Sequence, residues 1–250
     1  MAKIPSAHET AEILEALSSG ESGPQDLSWL PALIDHTLLK PGTSEAELTK
    51  LCEEAIQHRF ATVCVRSENI PLCAKLLQGS GVKPIAVVGF PDGDVPTMDK
   101  VSETGRAIAA GAKEIDMVLA KGLLRKRAHA EVFADIKAVV EAAAKAPVKV
   151  ILETCLLDEE EKLMACALAK AAGASFVKTS TGFSTAGATV EDIQLMRRAV
   201  GPNFGVKASG GVRTLEDALR MVQAGATRIG TSNGVGIVGN APKSAATGVY

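Results

Sequence analysis

From about Trp29 onward, short apolar runs rich in β-branched residues alternate with longer stretches of helical rhythm. The runs that predict strands centre on Ala32–Ile34, Thr62–Val65, Ile85–Val88, Glu114–Val118, Val148–Leu152, Ser175–Val177, Gly205–Val206 and Arg228–Ile229. They recur at intervals of roughly 25 to 35 residues, the spacing that βα units require. Several are almost unbroken apolar runs, as expected where both faces of a sheet are covered. The helices between them have legible starts. Ser44 is followed three residues later by Glu47, a capping box; Thr189 with Asp192 and Thr214 with Asp217 repeat the pattern, and Asp158 with Glu161 is a weaker form of it. A glycine closes the segments at 109–112, 170–174 and 223–226, each just before a predicted strand, where a left-handed residue ends a helix and turns the chain back. Eight such units in one domain predict a closed (β/α)8 TIM barrel of the α/β class. An open doubly wound sheet is the rival, but no GxGxxG follows the first strand.

Ahead of this region, residues 9–18 predict a short amphipathic helix and Ser18 to Pro24 a linker rich in Ser and Gly. The chain thus divides into an N-terminal extension over 1–28 and a barrel domain over 29–250, the latter ending in a flexible tail at 239–250.

Composition narrows the class. Of the 250 residues, 46% are hydrophobic and 22% charged, which suits a globular domain with a large core. Lys plus Arg number 27 against 29 Asp plus Glu, a formal net charge of -2. No basic excess points to nucleic acid or to a membrane surface. The start has no apolar core of a secretory signal, and no stretch reaches the roughly 18 to 20 apolar residues of a membrane span. Cysteines at 52, 64, 73, 155 and 166 form no CxxC pair, which predicts reduced thiols and a cytoplasmic protein.

In such a barrel, chemistry sits at the C-terminal ends of the strands. That selects Asp35, His36 and Thr37, Cys64, Asp116, Glu153, Lys178 and Lys207, with Gly210, Gly211, Ser232 and Asn233 in the last two loops. Lys178 and Lys207 end adjacent predicted strands, and a lysine is a poor filler for a barrel interior unless it is paired or functional. Two neighbouring ammonium groups disfavour each other's protonation, and desolvation acts the same way. One lysine then becomes a free amine that attacks a carbonyl and forms a Schiff base. The iminium draws electrons from the adjacent carbon–carbon bond, which is the chemistry of an aldolase. Asp116 can move a proton through water or fix a lysine by pairing with it. The loops TSTGF (179–183), ASGG (208–211) and GTSNG (230–234) carry the glycines that let backbone amides approach a phosphate. Asp35 and His36 are adjacent, so they point to opposite faces of a strand and do not form a ligand set; no metal is expected.

The segments IDHTLLKP (34–41), TVCV (62–65), VVGFPDG (87–93), EIDMV (114–118), KVILET (149–154), FVKTSTGF (176–183), VKASGGVRT (206–214) and RIGTSNGV (228–235) together resemble the deoxyribose-phosphate aldolases. The resemblance runs in order across about residues 29–235. It implies a (β/α)8 barrel that reversibly cleaves 2-deoxy-D-ribose 5-phosphate to acetaldehyde and D-glyceraldehyde 3-phosphate, with no cofactor. It implies Lys178 as the Schiff-base lysine, Lys207 as the second lysine that perturbs it and Asp116 as the proton relay. Asp35 and Thr37 resemble supports near the substrate, and Cys64 a cysteine beside the pocket. Thr181, Gly182, Gly210, Gly211, Ser232 and Asn233 fall in the substrate and phosphate loops. Two departures stand out: Asn233 replaces a small residue, and RSEN (66–69) replaces the usual continuation after the cysteine. The terminal Tyr250 resembles a tyrosine that reaches into the site and assists proton transfer. The implied partner is a small phosphorylated sugar, and a homodimer is left open. The competing readings are a barrel isomerase or synthase acting on another phosphorylated metabolite, with Lys178 as base, and a non-catalytic metabolite-binding protein.

Overall fold

The computed structural model describes residues 4–19 and 27–239. Eight parallel strands close a barrel in sequence order, with β8 pairing back to β1. The strands are β1 (Ile34–Leu38), β2 (Thr62–Arg66), β3 (Lys83–Val88), β4 (Glu114–Val118), β5 (Val148–Ile151), β6 (Phe176–Lys178), β7 (Gly205–Ser209) and β8 (Arg228–Thr231). The helices are α1 (Ala7–Ser19), α2 (Glu45–His58), α3 (Ile70–Leu76), α4 (Thr97–Ala109), α5 (Lys121–Arg125), α6 (His129–Ala142), α7 (Glu159–Ala171), α8 (Val190–Val200), α9 (Leu215–Ala224) and α10 (Gly234–Val238). Among the described residues no helix is long and apolar enough to cross a membrane.

The first strand differs from its predicted position. A 3-10 turn with Pro31 as its second residue spans Leu30–Leu33, and the strand proper starts at Ile34. Asp35, His36 and Thr37 therefore lie inside β1 rather than after it. The first helix runs through Ser19, past the point where the linker was expected to begin, and packs along α9. Its Ile13 and Leu14, together with Ile4, rest against the apolar shell.

The predicted caps form. Ser44, Asp158 and Thr214 each accept from the backbone three residues on in full capping boxes, including the Asp158 form expected to be weaker. Thr189 caps α8, but the Asp192 carboxylate leaves the box and pairs with Lys162 at 2.7 Å. Gly111, Gly173 and Gly225 turn the chain with φ of 111°, 86° and 114°.

Strand alternation sorts the residues into two environments. One set joins the apolar shell between sheet and helices: Ile34, Val63, Val65, Ala86, Val88, Ile115, Met117, Val148, Val150, Val177, Val206, Ala208 and Ile229. The alternate set lines the barrel, and from β4 to β8 it is largely charged. This departs from the bulky apolar filling usual in such barrels. A small apolar patch of Leu39, Cys64, Ile85 and Val87, packed by Phe90 and Phe183, lines the β1–β3 side.

Candidate active site

Side chains from non-neighbouring strands can touch only across the barrel interior, and six do so here, joined by Lys149 from β5. Asp116 on β4 meets Lys178 on β6 at 2.9 Å and Lys207 on β7 at 2.7 Å, both through Oδ2, while its Oδ1 meets Lys149 on β5 at 3.0 Å. Asp35 on β1 holds Lys207 through Oδ2 at 2.5 Å and Arg228 on β8 through Oδ1 at 2.8 Å. Glu114 pairs with Lys149 at 2.5 Å and with Arg228 at 3.2 Å. Thr62 donates to Asp35 Oδ1 at 2.6 Å.

The count of charges decides which group is uncomfortable. Four cationic side chains share three carboxylates. Lys149 touches two carboxylates, Lys207 two and Arg228 two, but Lys178 touches only Asp116. With every lysine protonated, the buried cluster carries a surplus positive charge, and an uncompensated charge away from water is costly. Loss of one proton from Lys178 evens the count. The direction of each shift agrees. Burial pulls the Lys178 ammonium below the ordinary lysine range, with Asp116 opposing and Lys207 assisting. Burial acts on Lys207 as well, but the Asp116 and Asp35 carboxylates outweigh it and hold that lysine protonated above its ordinary range. Burial would raise Asp116, yet Lys149, Lys178 and Lys207 keep it ionised well below the usual carboxylate range. Asp35 is likewise held down, burial being overcome by Arg228, Lys207 and Lys149.

Both effects expected from the sequence, mutual repulsion of the lysines and desolvation, act on Lys178; desolvation leads, and Lys207 contributes after the opposing Asp116. Lys149, Glu114 and Arg228 were not singled out. Their signal was period-two spacing: Glu114 lies two residues from Asp116, and Lys149 stands inside an apolar strand. Beneath them, the Phe176 ring lies against Gly205, where a Cβ would stand 2.1 Å from Cδ1. Lys149 Nζ and Arg228 Cζ approach that ring's centroid at 5.5 and 5.3 Å, within cation–π range.

The remaining predicted residues fall around this cluster. Thr37 is buried and donates to the Asp35 carbonyl at 2.8 Å. Cys64 lies within electrostatic reach of both lysines, but burial pushes its thiol up to about 11, so it stays protonated near neutrality. His36 points the other way, into the shell, where Nε2 meets Glu54 at 2.8 Å. Glu153 is buried in a left-handed conformation, φ 59° and ψ 60°. Its carboxylate accepts from the Thr181 backbone at 3.2 Å and hydroxyl at 2.5 Å, fixing the loop after β6. Gly182 in that loop has φ 90°.

The loops after β6, β7 and β8 are tied together. Gly187 lies so close to Gly210 that a Cβ would stand 2.1 Å from its carbonyl oxygen. Gly210 and Gly211 both have φ near 80°, at 82° and 80°. Thr231 donates to the Val212 carbonyl at 2.8 Å, and Asn233 Nδ2 to the Arg213 carbonyl at 2.8 Å. The Asn233 side chain thus joins two loops, while Ser232 is exposed. Tyr250 lies outside the described residues. A surface cavity of about 610 Å³, lined by Leu77, Lys83, Pro84 and Lys113 among others, opens at the opposite, N-terminal end of the barrel and touches none of these groups.

Comparison with known proteins gives the family and the fold. Residues 31–241 match the model of the family described as DeoC/LacD family aldolase. A deoxyribose-phosphate aldolase of Clostridium perfringens is 57% identical over 213 residues, which is 85% of this chain and 95% of that protein. One from Bacillus subtilis is 58% identical over 210 residues, 84% and 94% of the two chains. The tetrameric deoxyribose phosphate aldolase from Aeropyrum pernix superimposes with a TM-score of 0.82 at 33% identity, covering 94% of this chain and 98% of its own.

Proposed function

Because this chain belongs to the DeoC/LacD family of aldolases, we propose that it reversibly cleaves 2-deoxy-D-ribose 5-phosphate to D-glyceraldehyde 3-phosphate and acetaldehyde through a Schiff base on Lys178. The observation that carries the assignment of the nucleophile is that Lys178 is the one cation of the buried cluster with a single carboxylate partner. Its amine adds to the C1 aldehyde of the open-chain sugar to give a carbinolamine, which loses water to form the iminium. The C3 hydroxyl then gives up its proton, the C2–C3 bond breaks, and its electron pair flows into the iminium to leave an enamine. Glyceraldehyde 3-phosphate departs. Protonation of the enamine and hydrolysis release acetaldehyde and restore the amine.

Each neighbour has a part in this reading. Lys207 stays charged, helps hold Lys178 unprotonated and stabilises developing negative charge. Asp116 relays protons through water while remaining ionised at rest. Asp35 and Thr37 support the substrate end of β1, and Cys64 contributes a neutral wall. The β6 to β8 loops, with Thr181, Gly182, Gly210, Gly211, Ser232 and Asn233, receive the phosphate; Asn233 acts there by joining the loops, since its side-chain amide already donates to Arg213. Tyr250 is the candidate for proton exchange at the acetaldehyde carbon. The test is borohydride reduction in the presence of deoxyribose 5-phosphate followed by peptide mass spectrometry. A reduced adduct on Lys178 is expected; turnover without any trapped adduct would favour an isomerase-type reaction with Lys178 as base.

A further inference from the structure

Ser209 ends β7 two residues beyond Lys207, on the same inner face and one step nearer the mouth. Its backbone is fully committed. Thr179 Oγ1 donates to the Ser209 carbonyl at 2.9 Å and accepts from its N–H at 3.0 Å, and the Ala188 N–H reaches the same carbonyl at 3.1 Å. The side chain is the opposite case. Ser209 is 4% exposed, yet its Oγ has no hydrogen-bond partner among the described residues. The space it occupies is kept open by Gly230, its register partner on β8: a Cβ there would stand 2.3 Å from Ser209 Oγ and 2.9 Å from Lys207 Cε. A hydroxyl on a fully hydrogen-bonded backbone therefore sits beside the Lys207 stem, immediately ahead of Gly210 and Gly211 in the chain, with its donor and acceptor capacity unspent. Buried polar groups left without a partner are rare and unfavourable, so the partner is expected to arrive with the ligand.

We propose that Ser209 is a specificity-determining residue that hydrogen-bonds the C4 hydroxyl of the sugar, the one next to the phosphate-bearing carbon. The inference rests on the Schiff-base reading above. With C1 at Lys178 and the phosphate in the loops after β7 and β8, the sugar chain passes Ser209 near its phosphate end, and C4 carries the hydroxyl found there.

The synthetic direction isolates this contact, because the acceptor aldehyde can be changed while the Lys178 adduct with acetaldehyde stays the same. The acceptors are D-glyceraldehyde 3-phosphate, which carries the hydroxyl, and 3-oxopropyl phosphate, which lacks it. Ser209→Ala and the near-isosteric Ser209→Cys are expected to lower kcat/KM for glyceraldehyde 3-phosphate by roughly tenfold, the effect of one lost hydrogen bond. For 3-oxopropyl phosphate the change is expected to stay within about twofold, and the borohydride-trapped acetaldehyde adduct should form as in the wild type. Equal losses on both acceptors, or no loss on either, would overturn the assignment, the first by showing that the hydroxyl serves an ordered water or the packing of the strands. Wild-type protein that traps no acetaldehyde adduct would instead overturn the Schiff-base reading, and this inference with it.

Discussion

The barrel interior has two charged layers that behave differently. The lower one, Glu114, Lys149 and Arg228 over the Phe176 ring, is closed: each group has its partners and the aromatic face takes up the two cations. The upper one places Lys149, Lys178 and Lys207 around one carboxylate, Asp116, and only Lys178 has no second carboxylate. Both layers are buried and both hold cationic side chains, with Lys149 shared between them, so burial alone does not make an amine. What separates them is stoichiometry. Lys207, with two carboxylates, is held protonated, while Lys178, which shares its single carboxylate, has its ammonium form disfavoured.

The most severe way to break this contrast is to remove the odd lysine. Lys178→Ala is expected to abolish the trapped adduct and lower turnover by on the order of 10⁴-fold or more, with the fold intact by circular dichroism. A persisting adduct would move the nucleophile to another strand. Lys207→Leu should cost less, roughly 10² to 10³ in kcat/KM near neutral pH, and for a different reason. It removes a cation that helps depress Lys178, so the Lys178 pKa rises toward the ordinary lysine range. Because the neutral amine attacks, activity falls as pH drops through that pKa, and the acid limb of the pH profile should move upward. Partial recovery at high pH in this variant, and none in Lys178→Ala, is the expected pair of results.

How much of this could be read from the chain differs by feature. The helix caps at Ser44, Asp158 and Thr214 and the glycine turns at 111, 173 and 225 were legible because they are local: the partners lie within a few residues. Lys178 and Lys207 were legible because charges that end apolar runs are rare, and Asp116 because a carboxylate within an apolar strand is rarer still. The lower layer was not, since Lys149 looks like any lysine until the closure of eight strands brings it between Glu114 and Asp116. The start of β1 was misplaced because apolar character alone cannot tell a strand from the 3-10 turn that Pro31 imposes. His36 illustrates the converse: alternation along β1 separated it correctly from Asp35.

Lys149→Met sharpens the same contrast from below. Truncating one partner of a buried ion network costs about 3–5 kcal/mol, to be read from denaturant unfolding. The informative part is the pH profile. With Lys149 gone, three cations face three carboxylates even when Lys178 is protonated, so the acid limb should move up although Lys178 and its direct partner are untouched. An unmoved limb would show that the count of charges in the cluster does not govern Lys178. The smallest expected effect is the control: Thr214→Ala removes the α9 cap and should cost about 1 kcal/mol while leaving the limb where it was.

The depth of the Asp116 cluster bears on ionic strength. Lys178 and Asp116 are 3% and 0% exposed at the side chain, so mobile counter-ions stay outside and cannot shield one from the other. The loops after β7 and β8, proposed to take the phosphate, carry the exposed Gly211 and Ser232, where added salt shortens the reach of charge to about 8 Å at 0.15 M and about 3 Å at 1 M. Salt therefore acts on capture and not on chemistry: rising concentration should raise KM for the phosphorylated sugar, while kcat and the acidity of the amine stay the same. An enzyme built this way keeps the timing of its covalent step across the ionic conditions a cell passes through, and lets only its occupancy vary.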